Sequence, residues 1–136
     1  MEYLFNLGLN ENEIKGMVSI NSEILDLSIE EIKALADLLE NIGCKDYHIK
    51  NIITANPYYL SRSATDINNL INKLLSLGIT HLETTFDSNP WLLNKDAYEI
   101  DEYISEEQSK GLSLEDIIDN IDSGMIGEWY GKRIFN

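Results

Sequence analysis

Lys45, His48, Lys50, Arg62 and Lys73 are the side chains whose types and spacing come closest to a chemistry. They lie close together in a chain that is otherwise acidic. Cationic groups so placed suit the neutralisation of phosphates, whose contacts dominate affinity for nucleic acid. The plainer reading is a solvated polar face on a helix pair. Asp101, Glu102 and Glu106, followed by Glu107, Glu115, Asp116, Asp119 and Asp122, form an opposite, acidic run. It suits a basic protein partner or mimicry of DNA, or is a solvated helix face. Tyr58, Tyr59 and Trp91 can stack on bases or anchor a partner. At least one aromatic of such a group is expected to pack inside instead.

Catalysis finds no comparable set. Cys44 is the single cysteine, so no disulfide forms within the chain, and it reads as a small buried filler. His48, four residues on, gives it no assured base. His81 is isolated, and two histidines without a ligand cluster do not make a metal site. "DNIDSG", residues 119–124, fails as a calcium loop: Ile121 stands where an oxygen ligand is needed, and Tyr130 where the closing glutamate belongs. No phosphate loop, glycine-rich dinucleotide turn or nucleophile elbow occurs. The expectation is a protein that binds and does not catalyse, with no metal, cofactor or small-molecule ligand.

The 136 residues suffice for one domain with a real core, and 43% apolar residues fit a folded chain. No apolar run reaches the length of a membrane span, and "MEYLFNLGL" lacks the basic start of a signal peptide. Together with cysteine usage, this makes a cytoplasmic location the default. Ten basic against 24 acidic side chains give a net charge of −14, which opposes the approach of phosphates. The imbalance is uneven. Residues 1–42 carry two basic and nine acidic residues, net −7; residues 43–77 carry four and two, net +2; residues 78–136 carry four and thirteen, net −9.

The elements that must position these groups come from a repeat. Gly8, Gly43, Gly78 and Gly111 stand 35, 35 and 33 residues apart. Each of the first three is followed by a matching landmark: Asn21-Ser22-Glu23-Ile24-Leu25, Asn56-Pro57-Tyr58-Tyr59-Leu60 and Asn89-Pro90-Trp91-Leu92-Leu93. Ser123-Gly124-Met125-Ile126 is a looser fourth. Proline ends one helix and is welcome in the first turn of the next, with asparagine as N-cap. Asn-Pro therefore marks a joint between two helices, and the leucine three residues past the proline position is expected in the core.

Caps and stripes fill in the rest. Asn10 with Glu13 and Ser28 with Glu31 read as capping boxes. Ser63 with Asp66, Thr80 with Glu83, and Ser113 open further helices. Ile14, Met17 and Val18; Ile32, Leu35, Leu39 and Ile42; Ile49, Ile52 and Ile53; Ile67, Leu70, Ile71 and Leu74; Ala97, Ile100 and Ile104; and Leu114, Ile117, Ile118 and Ile121 are helical stripes. No strand-like alternation competes. "MEYLFN" reads as the end of a preceding helix.

The predicted architecture is a single all-α domain over residues 1–136, a right- or left-handed helical-repeat solenoid of about three and a half repeats. The repeats run approximately 8–42, 43–77 and 78–110, with a partial repeat at 111–126. A cap at 127–136, holding Trp129, Tyr130, Ile134 and Phe135, covers the last apolar face.

The Leu-Gly-hydrophobic turns, the Asn-Pro-x-x-Leu joints at 56–60 and 89–93, and the repeat length resemble the mitochondrial transcription termination factor (mTERF) family. The resemblance spans roughly residues 4–126 and looks most like a short bacterial or phage member. It implies two α-helices and a short 3₁₀ turn per repeat, curled into a superhelix. It also implies a transcription-related role, binding DNA or RNA through a basic concave face, here the middle repeat. The net charge instead favours an acidic protein-interaction module whose partner the sequence does not name.

Overall fold

A computed structural model describes residues 2–123. Eight α-helices and three 3₁₀ turns make up its architecture, and no strand occurs among the described residues. The helices are α1 (Glu2–Asn6), α2 (Glu11–Ile20), α3 (Ile29–Asn41), α4 (Asp46–Ala55), α5 (Ala64–Ser76), α6 (Leu82–Ser88), α7 (Ala97–Ser109) and α8 (Leu114–Asp122). The 3₁₀ turns join α2 to α3 (Ser22–Asp26), α4 to α5 (Pro57–Ser61) and α6 to α7 (Pro90–Asn94). The order helix, 3₁₀ turn, helix, glycine thus occurs three times.

The glycines that close these units have a positive φ, 110° at Gly43, 89° at Gly78 and 96° at Gly111, as does Gly8 after α1 at 98°. A Cβ is costly in that region, so glycine is the residue that turns the chain there. The next amide then reaches back over the helix end, as Cys44 N–H does to Leu39 O (3.0 Å) and Ile79 N–H to Leu74 O (3.2 Å). This satisfies helix-terminal carbonyls that would otherwise lack a donor.

Helix starts follow the caps closely. Asn10 with Glu13 and Ser28 with Glu31 form reciprocal capping boxes, and Ser63 and Ser113 accept from the Asp66 and Asp116 amides. A further box, Asp96 with Glu99, opens α7. Thr80 does not cap α6. That helix begins at Leu82, and it is the His81 carbonyl that accepts from the Thr84 and Thr85 amides. Burial of Leu82 holds this later start.

The elements pack in two rows, with α2, α4 and α6 in sequence and α3, α5 and α7 in sequence, while each 3₁₀ turn contacts the next. α8 lies against α7. One apolar cluster runs through the assembly, built from the expected stripes: Ile14 and Met17, Ile32 and Leu35, Ile49 and Ile52, Ile67 and Leu70, then Ile100, Ile117 and Ile121. Leu114, at the first turn of α8, is exposed.

One expectation about the joints fails. Leu60 and Leu93 are 2% and 0% exposed, but Leu25 is 64% exposed. The second 3₁₀ turn packs back onto α2, α3 and the first turn, and the third onto α4 and the second. No earlier turn among the described residues offers the first turn such a surface. Ile24, one position before, is the residue that enters the core there, 1% exposed. Gly124, Met125, Ile126 and the cap at 127–136 lie outside the described residues.

Candidate interaction surfaces

The basic middle stretch does not form an open cationic patch. Arg62 lies just past the second 3₁₀ turn, where its side chain is 18% exposed. Its Nε donates to Leu93 O (3.1 Å), and its Nη2 donates to Lys95 O (3.0 Å) and Asp96 Oδ1 (2.6 Å). The planar guanidinium meets three acceptors around the start of α7, a task its fork of donors suits. Lys73 on α5 pairs with Asp101 on α7 (2.9 Å), and Lys50 on α4 with Glu13 on α2 (3.6 Å). Every one of these bonds joins neighbouring units.

His48 performs a cap. Its Nδ1 accepts the Lys45 N–H at 2.9 Å, closing the first turn of α4, and the Tyr47 ring lies beside it with centroids 4.1 Å apart. Lys45 is exposed and has no ion-pair partner among the described residues. Of the five candidate phosphate contacts, three are therefore bound to carboxylates and one serves its own helix.

The joints divide the aromatic candidates. Tyr58 and Trp91 hold matching places in successive 3₁₀ turns, and each is 45% exposed. Tyr59 is fully buried, and its hydroxyl donates to Leu35 O at 2.6 Å. It is a core residue and offers no face to a partner. Burial, chiefly, pushes its phenol up from the usual value.

The joint asparagines do more than end helices, and the sequence reading missed this. Asn21 Nδ2 donates to Pro57 O (3.1 Å) and Ser61 Oγ (2.7 Å). Asn56 Nδ2 donates to Pro90 O (3.0 Å) and Asn94 Oδ1 (2.9 Å). Neither Asn56 nor Asn89 makes the expected side-chain cap bond. The signal was present: asparagine is the one polar residue type common to all three joints, and a cap role alone would also accept serine or aspartate.

Lys95 was likewise unforeseen. It is 4% exposed, and its ammonium lies 3.4 Å from Glu99 one turn on. Beyond α7, Thr85 donates its hydroxyl to Asp122 at the end of α8 (2.5 Å). Asp101, Glu102 and Glu106 lie on the exposed side of α7, with Asp101 engaged by Lys73.

Cys44 is buried, and burial, with lesser contributions from Glu83 and Asp87, pushes its thiol up to about 12. A thiol so protonated is a poor nucleophile. Among the described residues no group of three or more His, Cys, Asp or Glu side chains is placed to hold a metal ion, and no helix is long and apolar enough to cross a membrane. No family model matches the chain, and no curated protein matches it.

Proposed function

We propose that the chain is a non-enzymatic binding module, a stack of mTERF-like helical repeats whose acidic surface engages a basic segment of a protein partner. The stacked reading is supported by the positive-φ glycines at each unit boundary and by the asparagine bonds that link successive joints. The observation that carries the choice of partner is the pairing of the middle cations with flanking carboxylates. A phosphate would have to displace Asp96 from Arg62, Asp101 from Lys73 and Glu13 from Lys50. What remains outside those pairs is a surface dominated by the net charge of −14. Its complement is a cationic peptide, steered by charge and held where exposed aromatics such as Trp91 can meet apolar or cationic groups.

The test is a binding titration against salt with three probes: a duplex DNA, a single-stranded RNA and a lysine-rich peptide. The expected result is peptide binding whose association slows with Glu102→Lys plus Glu106→Lys, and no nucleic-acid binding at physiological salt. Nucleic-acid binding with a log–log salt slope near about −3.6, the value for four phosphate contacts on duplex DNA, would restore the resemblance's implied activity and overturn the choice of a protein partner.

A further inference from the structure

The first joint departs from the other two at three places in register. Ile20 stands where the later joints have Ala55 and Ser88, Leu25 where they have Leu60 and Leu93, and Ile29 where they have Ala64 and Ala97. Leu60 and Leu93 are buried, and each of their turns packs back onto the unit before it. Leu25 has no such unit behind it among the described residues and is exposed; Ile20 and Ile29 are each half exposed. Burial, then the charges of Asp37, Glu40 and Asp46, raise the Tyr3 phenol, which sets α1 beside the later part of α3, away from the joint. A terminal repeat ordinarily turns a polar face outward. Here large aliphatics stand where an inner unit has a small residue or a covered leucine.

Polar groups at the same joint follow the ladder's pattern. In the later turns the carbonyl of the first residue and a side-chain oxygen on the fifth accept from the preceding asparagine: Pro57 and Ser61 from Asn21, Pro90 and Asn94 from Asn56. The first turn carries acceptors in the same two places, the Ser22 carbonyl and the Asp26 carboxylate. That carboxylate has no hydrogen bond or ion pair among the described residues. Residues 20–31 hold Glu23, Asp26, Glu30 and Glu31 and no basic side chain. The flanking cations are Lys15, which pairs with Glu11, and Lys33. A second copy would bring the same carboxylates to a two-fold contact, where like charges oppose it. The complement is a cationic donor beside an apolar side chain.

We propose that the open face of the first joint is the docking site for an amphipathic basic segment of the protein partner. An apolar side chain of that segment covers Leu25, with Ile20 and Ile29 beside it. An arginine takes the place of the absent asparagine and donates to the Ser22 carbonyl and the Asp26 carboxylate, a pair of acceptors its fork of donors suits. The inference rests on the basic-partner reading above; it adds where the partner sits and that it must be apolar as well as basic.

Titration of the full chain with two peptides of equal charge tests it. One carries leucines at helical spacing among arginines, and the other has serine for each leucine. The leucine peptide is expected to bind about tenfold more tightly, the effect of burying one such side chain. Leu25→Ser removes that preference, whereas Leu75→Ser, at an exposed leucine on α5, keeps it. Asp26→Asn weakens both peptides about fivefold, the effect of one hydrogen bond. All three positions are exposed, so the variants should melt with wild type. Equal affinity for the two peptides, a preference that survives Leu25→Ser, or one lost equally with Leu75→Ser overturns the proposal. So does a wild-type dimer that Leu25→Ser dissociates, which would assign the face to a second copy. If neither peptide binds wild type, the basic-partner reading fails and this one with it. If both bind and respond to Glu102→Lys plus Glu106→Lys but not to the first-joint variants, only the docking face is wrong.

Discussion

Replacing Arg62 with alanine removes three donors at once from a mostly buried place. The Leu93 and Lys95 carbonyls lose their side-chain donor, and the Asp96 carboxylate, 35% exposed, loses its cation. Fully buried pairs cost about 3–5 kcal/mol to break by removing one partner. Partial exposure of Asp96 lets water recover part of that, so about 2–4 kcal/mol is expected here. For a chain of this size each kcal/mol moves the midpoint by roughly 3 °C, giving a fall of about 6–12 °C. Calorimetry at neutral pH reads it directly. Arg62→Lys is the sharper control. A lysine keeps the charge but cannot satisfy three acceptors set out for a planar fork, so its midpoint should fall between those of wild type and alanine. If Arg62→Lys melts with wild type, the carbonyl contacts contribute nothing. If Arg62→Ala melts with wild type, the side chain is not a link between units at all.

Leu60→Asp should abolish cooperative melting, because it places an unpaired charge in a site 2% exposed; Leu25→Asp, on an exposed side chain, should stay within about 0.5 kcal/mol of wild type by chemical denaturation. Asn56→Ala, which deletes the bonds to Pro90 O and Asn94 Oδ1, should cost about 1–3 kcal/mol in urea unfolding. Alkaline stability follows from Cys44, whose folded thiol is raised from 9.0 to about 12. The unfolded thiol ionises first, so stability is fully present below about pH 9 and is lost as pH climbs toward the folded value, at up to about 1.4 kcal/mol per pH unit. Cys44→Val should flatten that part of the pH–stability curve; an unchanged slope would assign the loss elsewhere.

Much of the fold is legible in the sequence because its cues are local. A glycine at each left-handed turn, a serine or asparagine at helix starts, and apolar stripes at helical period each depend on residues within a few positions. Leu25 shows where local cues stop. Its phrase matches Leu60 and Leu93, but burial depends on a neighbouring turn that the first joint lacks. The candidate site shows it more strongly. Composition locates Lys50, Arg62 and Lys73 in one stretch, but whether they face phosphate or carboxylate depends on the register between units. That register is set by packing across more than 30 residues, as in the Asn21–Pro57 and Asn56–Pro90 bonds. Tyr59 is of the same kind: its hydroxyl finds Leu35 O, 24 residues back, which no nearby sequence announces.

The ion pairs of the middle unit also bear on the order of the units. Suppose residues 43–77 were copied in place, so that two middle units lay side by side. The asparagine bonds would continue, since the unit carries both a donor in Asn56 and its acceptors in Pro57 and Ser61. The charges would not. By register, the places of Glu13, Asp96 and Asp101 are held in the middle unit by His48, Ser63 and Asn68. A copied Lys50 would meet an imidazole, a copied Arg62 a hydroxyl and a copied Lys73 an amide. The asparagine bonds would thus let the middle unit follow itself, while the carboxylates favour its place between its two acidic neighbours. Charge serves as an address within the chain, and tandem duplication of the middle unit is the rearrangement it penalises.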